Sequence, residues 1–350
     1  MYTSKYTSLF LSSVTNLTLG GLTMALFSLG RRKVLGYGAI GAAAAVLPSI
    51  ASASEKISIG YWPIASGLPF YVALEKGFFK EVGLNVEGVK FANPSQVVEA
   101  MIAGRIQGSA NGTASAALAL GEIASPGLFQ IICSNPSNQK FVLDEFLVSI
   151  KSTAKSIRDL KGAKIACGPG IQNVTLTKII LEKNGLGEIQ PIELPVGQHV
   201  AAIAAGQIDA VYTLEPTGTI GRVKGETRIL ETGVISKYVL GNADAPWFGG
   251  SASLVNTLIK ARPADVKKYV QAYAKGVDFV RKNPEESRKS LDGFTAIDES
   301  IVKEVPLANF VMYNEFKPSD IDFFQKFFDV FTERKIFTKR LDVKSLIYKG

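Results

Sequence analysis

A long internal repeat constrains this chain more than any single motif in it. Gly83-Leu84 is followed by Val98, Ala100, Ala103, Gly104 and Ile106. The same residue types recur at Gly185-Leu186, Val200, Ala202, Ala205, Gly206 and Ile208, each 102 positions further on. Each half then runs into a short apolar stretch, residues 107–110 or 209–212, and a polar loop. A repeat long enough to hold helix, strand and loop implies two similar α/β lobes.

The unit is easiest to read over residues 57–91. Ile57 and Ile59 alternate with Ser58 and Gly60 as in a strand, Trp62-Pro63 ends it, and Ser66-Gly67 leads into an apolar-periodic segment through Phe79. Gly83 suits a helix C-terminus, and Leu84, Val86, Val89 and Phe91 read as the next strand. In such a unit the loop at the carboxyl end of the first strand carries unpaired helix N–H groups, which makes it a natural ligand site.

The 350 residues allow about two or three domains. The net charge of +8 suggests nucleic acid at first, but residues 1–53 hold four basic residues (Lys5, Arg31, Arg32, Lys33) and no acid. The remaining 35 basic and 31 acidic residues make a mildly basic surface, with no Arg-rich or aromatic-interleaved patch to bind nucleic acid.

Arg31-Arg32-Lys33, a Gly/Ala-rich apolar run to Ile50 and Ala51-Ser52-Ala53 have the layout of an export signal cleaved after Ala53. The twin arginine is Tat-like, which implies export of a folded protein to the periplasm. Met24 is an alternative start that puts the arginines in an ordinary n-region. Residues 6–30 are uncharged, but Ser, Thr and Asn interrupt them too often for a good membrane span. Residues 36–41 match G-x-G-x-x-G only formally, since no strand precedes them.

Further along, Asn111-Gly112-Thr113-Ala114-Ser115 precedes an Ala/Leu helix. Thr113 or Ser115 either caps that helix or, with Asn111, faces a ligand. Residues 128–133 and 141–150 read as strands and 151–155 as a linker, so the expected layout is lobe one at 54–150, lobe two at 151–248 and a return to lobe one at 249–350. The loop from Gly168 to Thr175 is glycine-rich but lacks the Lys and spacing of a P-loop, and Gln172 or Asn173 is a helix cap or a ligand contact. Glu215 meets either an amino or amidine group or backbone donors near the crossover. Beyond Pro263 the chain is helical, and Phe323, Phe324, Phe327, Phe328 and Phe331 read as core packed against lobe one.

These stretches resemble a known family. The IGYWP strand-loop, the LPFYVALEKGFFKEVGLNVE helix, AGRIQGSANG, AGQIDAVYTLEP and DLKGAKIACGPG are similar to ABC-importer solute-binding proteins of the nitrate, sulfonate, taurine and thiamine-pyrimidine (NMT1/THI5-like) group, over residues 55–335. The resemblance implies a two-lobed, type II periplasmic-binding-protein fold of the α/β class. It also implies a small organic ligand in the cleft (sulfonate or taurine-like, oxyanion or pyrimidine-like), hinge closure, and a permease with its ATPase as partners of a monomer.

The cleft positions it implies are Trp62, Pro63, Ser66, Gly67 and Phe70 from the first loop and Asn111, Gly112 and Thr113 from the second. Opposite them stand Gly170, Gln172, Asn173 and Glu215, with Trp247 and Gly249 near the hinge. None is Lys, Arg or His, so an oxyanion would rest on helix N-termini and amides. Trp62 and Phe70 either meet a flat or apolar ligand or pack at a strand end.

No H-E-x-x-H, G-x-S-x-G or paired-Cys metal spacing is present, and neither metal nor cofactor is expected. His199, the one histidine, reads as a helix cap or surface residue. Cys133 and Cys167 read as free buried thiols, because a bridge between the lobes would restrict the hinge. The expectation is a binding protein and not an enzyme. The alternatives are an exported sensory protein or an enzyme like the pyrimidine synthases of this fold, whose Cys-rich motif and histidines this chain lacks.

Overall fold

The computed structural model describes residues 55–350, so the segment read as an export signal, its Gly36–Gly41 pattern and the cleavage position lie outside the described residues. Along the chain come β1 (Ile57–Tyr61), β2 (Val86–Lys90), β3 (Gly108–Ala114), β4 (Phe129–Ser134), β5 (Asp144–Ser149) and β6 (Ile165–Cys167). They are followed by β7 (Ile192–Glu193), β8 (Ala210–Leu214), β9 (Thr227–Thr232), β10 (Gly250–Val255) and β11 (Val311–Met312). They form two sheets, of order β11-β4-β10-β3-β1-β2 and β7-β6-β8-β5-β9.

The sheets share one plan. In the first, β2, β1 and β3 run parallel and β10 joins β3 antiparallel. In the second, β7, β6 and β8 run parallel and β5 joins β8 antiparallel. In each sheet the antiparallel partner is the strand that the chain enters on crossing from the other lobe.

The repeated glycines explain themselves in the backbone. Gly83 and Gly185 have φ of 76° and 78°, and Gly104 and Gly206 have 69° and 68°. All four lie in the left-handed region, where a Cβ is costly and glycine is favoured at a helix end. The turns match bond for bond: Leu84 N donates to Phe79 O at 3.0 Å and Leu186 N to Leu181 O at 2.9 Å. Repeating the turn repeats the way each helix hands over to its next strand.

One boundary differs from the sequence reading. Residues 141–150, placed with lobe one, supply β5, which pairs with β8 (Asp144↔Leu214) and β9 (Ser149↔Thr227) in the second sheet. The first crossing is therefore at 135–143, and 151–155 is a turn within the second lobe rather than a linker. Apolar alternation identifies a strand, but the partner is set by register with distant strands. The two crossings run side by side, with Ser137 N donating to Trp247 O (3.1 Å) and Trp247 N to Ser137 O (2.9 Å).

The C-terminal helices cover this frame. Helix Pro263–Lys282 buries Val266, Tyr269, Tyr273, Val277 and Val280. It lies close on helix Leu68–Glu75, since a Cβ at Gly276 would sit 2.5 Å from Pro69 O. Helix Pro318–Glu333 buries Phe324, Phe327, Phe328 and Phe331. Phe324 stacks on Phe248 at 5.0 Å and Phe327 packs on Trp247 at 5.9 Å, so this aromatic face covers the second crossing and not only lobe one. Each such ring contributes about 1.5–3 kcal/mol by burial.

Candidate functional site

The loops that follow β1 and β6, the Asn111-Gly112-Thr113 bend within β3 and the loop after β8 come together between the two sheets. Trp62 Nε1 donates to Gly112 O at 2.7 Å, joining the β1 loop to the β3 bend. Ala65 N donates to Glu215 O at 2.9 Å, which ties the β1 loop to the second lobe. Gln172, at the start of helix Ile171–Lys183, accepts from Ala116 N at 2.9 Å and donates through Nε2 to Gly249 O at 2.8 Å. The lobes thus meet directly in this structure.

On the first-lobe side the floor is a chain of small polar groups. Tyr273 Oη donates to Asn111 Oδ1 at 2.6 Å, and Asn135 Oδ1 accepts from Gly112 N at 3.1 Å and Asn111 Nδ2 at 3.4 Å. Ser251 Oγ lies 3.1 Å from both Ser115 Oγ and Ser134 Oγ. Gly112 (φ 85°) and Gly250 allow this crowding: a Cβ at Gly112 would fall 2.5 Å from Ser66 Oγ, and one at Gly250 would fall 2.6 Å from Gly112 Cα. Ser66 Oγ, Thr113 Oγ1 and Asn135 Nδ2 are buried without a hydrogen-bond partner. Buried hydroxyls and amides without partners cost about 1–3 kcal/mol each, which a polar ligand would recover.

The second-lobe side carries buried carboxyls. Glu215 is 2% exposed, and its oxygens accept from Thr219 N and Thr219 Oγ1, both at 3.2 Å. Burial pushes it up to about 7 against the pull of those two donors. Glu145, directly opposite Thr213 in the ladder, is wholly buried against Gly218, and its oxygens lack a partner of hydrogen-bond geometry. Burial first, and the Glu215 charge second, hold it well above the usual carboxylate range. Asp144 is raised to about 6 by burial, opposed by bonds from Ile235 N (2.9 Å) and Trp247 Nε1 (3.0 Å).

The residues named from the sequence fall into different settings. Asn173 donates to Pro169 O in its own loop, and Gly170 N donates to Glu193 Oε2 at 2.9 Å. Phe70 is fully buried against Tyr61 and Phe79, and Gly67 leaves room for the Tyr71 hydroxyl. Trp247 is 1% exposed, held by Asp144 and Phe327. Pro63 lines a mainly apolar cavity of about 480 Å³ with Val196, Val200, Pro216, Ile220 and Ala296, which Lys224 and Glu226 also border.

Sequence reasoning missed Asn135, Glu145, Asp144 and Tyr273. Asn135 had a usable signal, being the first polar side chain after a predicted strand and its serine. The others come from a strand and a helix read only for their apolar face. His199 is a correction: it is fully buried, with Nε2 2.7 Å from Leu194 O and Nδ1 2.9 Å from Thr213 Oγ1. Burial lowers it to about 4, so it is neutral, with Nε2–H donating and Nδ1 accepting from the threonine. Cys133 and Cys167 are both buried and free, with burial pushing each thiol up to about 12.

Among the described residues no cluster of three or more His, Cys, Asp or Glu could hold a metal ion, and no helix is long and apolar enough to cross a membrane. The arrangement offers hydroxyls, amides and main-chain groups from two lobes, together with the buried carboxyls of the second.

Comparison with known proteins agrees with this architecture. The family model described as NMT1/THI5 like matches residues 65–287. The chain belongs to the NMT1/THI5-like family. A protein of Brucella abortus (strain 2308) named as a binding protein is 26% identical over 262 residues, covering 73% of this chain and 76% of its own. The solved alkanesulfonate-binding protein of Xanthomonas axonopodis pv. citri, bound to MOPS, superposes with a TM-score of 0.68 at 22% identity, covering 84% of this chain and 98% of its own. The periplasmic nitrate-binding protein of Synechocystis PCC 6803 does so at 0.66 and 14% identity, covering 83% and 84%. This NMT1/THI5-like chain therefore has the two-lobed fold of periplasmic binding proteins, and these relatives are named for binding rather than catalysis.

Proposed function

We propose that this chain is the solute-capturing component of an ABC importer. It takes a small organic solute between its lobes and presents the closed form to a permease and its ATPase. The observation that carries this is the meeting of loops from two separate sheets around buried, unpartnered Ser66 and Thr113 hydroxyls. A ligand that contacts both lobes has differential affinity for the closed state, and that difference is what drives closure.

The test is a thermal-shift screen of the purified protein against sulfonates, oxyanions, carboxamides and pyrimidines. A true solute at a hundredfold its Kd adds about 2.7 kcal/mol of stability and is recovered unchanged. Thr113→Val, nearly isosteric but without the hydroxyl, is expected to lose most of that shift while melting like wild type when alone. Chemical conversion of the compound, or an identical shift in Thr113→Val, would overturn the reading or this part of the site.

The reading includes export. The Arg31-Arg32 signal would deliver the folded protein to the periplasm as a monomer, cut after Ala53. Replacing both arginines by lysine is expected to leave the precursor in the cytoplasm, measured by fractionation; undiminished periplasmic yield would reject the twin-arginine route.

A further inference from the structure

Gln172 joins the lobes in a way that describes the solute. Its side chain is 5% exposed and bridges the cleft with both ends of its carboxamide. Oε1 accepts from the Ala116 amide, in the first turn of helix Ser115–Ala124, and Nε2 donates to Gly249 O beside the second crossing. Ser115 N also donates to Gly249 O, at 3.0 Å, so the Ala116 amide and the Gly249 carbonyl are neighbours on one wall. That wall therefore presents one donor and one acceptor side by side, and the second lobe answers with an amide.

Two further features accompany this contact. Thr113 Oγ1, two residues before Ser115 in sequence, and Ser66 Oγ, packed against Gly112, are buried without partners. Gly170, two residues before Gln172, approaches Ser95 of the first lobe, a Cβ there coming 3.5 Å from Ser95 Oγ. The lobes are thus in contact around the very groups a bridging solute would need.

We propose that the Gln172 carboxamide occupies the position of the solute's bridging group, and that the solute is of the class that presents an acceptor and a donor side by side, as a carboxamide, ureide or lactam edge does. This rests on the solute-capture reading of the same cleft. A group with acceptors only would satisfy Ala116 N but leave Gly249 O facing a lone pair. Gly249 O keeps its bond from Ser115 N in either case, so the selection comes from the repulsion between its second lone pair and a facing acceptor, against the extra bond that a donor makes there. Gln172 swings aside when such a solute enters; when none is present its bridge biases the lobes toward the closed form, and the solute's own contacts complete the closure.

The test separates this from solute capture itself, because it needs no native ligand. The purified protein carrying Gln172→Ala is compared with wild type by small-angle scattering, alone and with acetamide, acetate or methanesulfonate. Gln172→Ala is expected to show a larger radius of gyration than wild type, and acetamide to bring it back while the two anions do not. Equal compaction by acetate or methanesulfonate would overturn the donor requirement, and a variant as compact as wild type without any additive would overturn the bridging role. Gln172→Glu controls for folding: it keeps the side-chain size and the acceptor but loses the donor, and is expected to be as open as the alanine variant with an unchanged circular dichroism spectrum. A compact glutamate variant would again remove the donor from the argument.

Discussion

Trp247→Ala is expected to lower the unfolding free energy by about 3–5 kcal/mol, the range for deleting a large buried aromatic ring. The ring is 1% exposed, packs on Phe327 at 5.9 Å and lies in the second crossing, paired with Ser137. Its indole N–H also donates to Asp144 Oδ1 at 3.0 Å, so its loss leaves a buried carboxyl with one partner fewer. Trp247→Phe divides the two effects: most of the packing stays, and the missing N–H alone is expected to cost about 1–3 kcal/mol. Guanidinium unfolding monitored by fluorescence and circular dichroism measures both. A loss below about 1 kcal/mol for the alanine variant would show that the crossing is not held by this ring.

The second large effect is on the response to pH. Glu145 and Glu215 are buried together, and both hold their proton more tightly in the folded chain than an ordinary carboxyl does. A carboxyl raised in this way gives stability that is fully present below about 4.5, the unfolded value, and is lost as pH climbs through the folded value of about 7 for Glu215. Asp144, raised to about 6, acts in the same sense at lower pH.

His199 acts in the opposite sense. Lowered to about 4, it contributes stability above its ordinary 6.5 and loses it as pH falls. Glu182 and Glu315, lowered by Arg334 and Arg281 respectively, lose their contributions in acid as well. Stability is therefore expected to be greatest in mildly acidic solution. It falls as pH rises from about 6 to 8.5, the carboxyl pair setting the direction of the slope.

Glu145→Gln keeps the shape, removes one of the two charges and offers a donor near Glu215. It should flatten that slope and raise stability at pH 8. Urea titrations at a series of pH values read it directly, and a variant with the wild-type slope would show that the pair is not the source.

Much of the fold was legible because it rests on local rules. The glycines at 83, 104, 185 and 206 mark left-handed turns, and the apolar periods between them mark helices and strands. Gly, Ala and Ile at fixed spacing are read by the backbone of their own neighbourhood, so no distant contact is needed to interpret them. The strand at 144–149 shows the limit of such rules. Its alternation was visible, but its membership of the second sheet depends on Leu214 and Thr227, far away in the chain.

The site was legible by position more than by chemistry. Loops at strand ends could be named from the sequence, and of the side chains named there Gln172 reaches across from one lobe to the other. What each side chain does there could not be read in the same way. Phe70 went into the core and Asn173 bonds within its own loop, while Glu145 entered the site from a strand with no ligand signal. A polar residue on an apolar strand is ambiguous until its neighbours are known.

By itself, then, the sequence determined two α/β units with their turns and order, because hydrophobic period and glycine conformation act over a few residues. Only the tertiary structure decided which strands share a sheet, that His199 and three carboxyls are buried, and that Gln172 reaches across to Ala116 and Gly249. Those outcomes depend on desolvation and on hydrogen bonds between residues tens to hundreds of positions apart, and these exist only once the chain has folded.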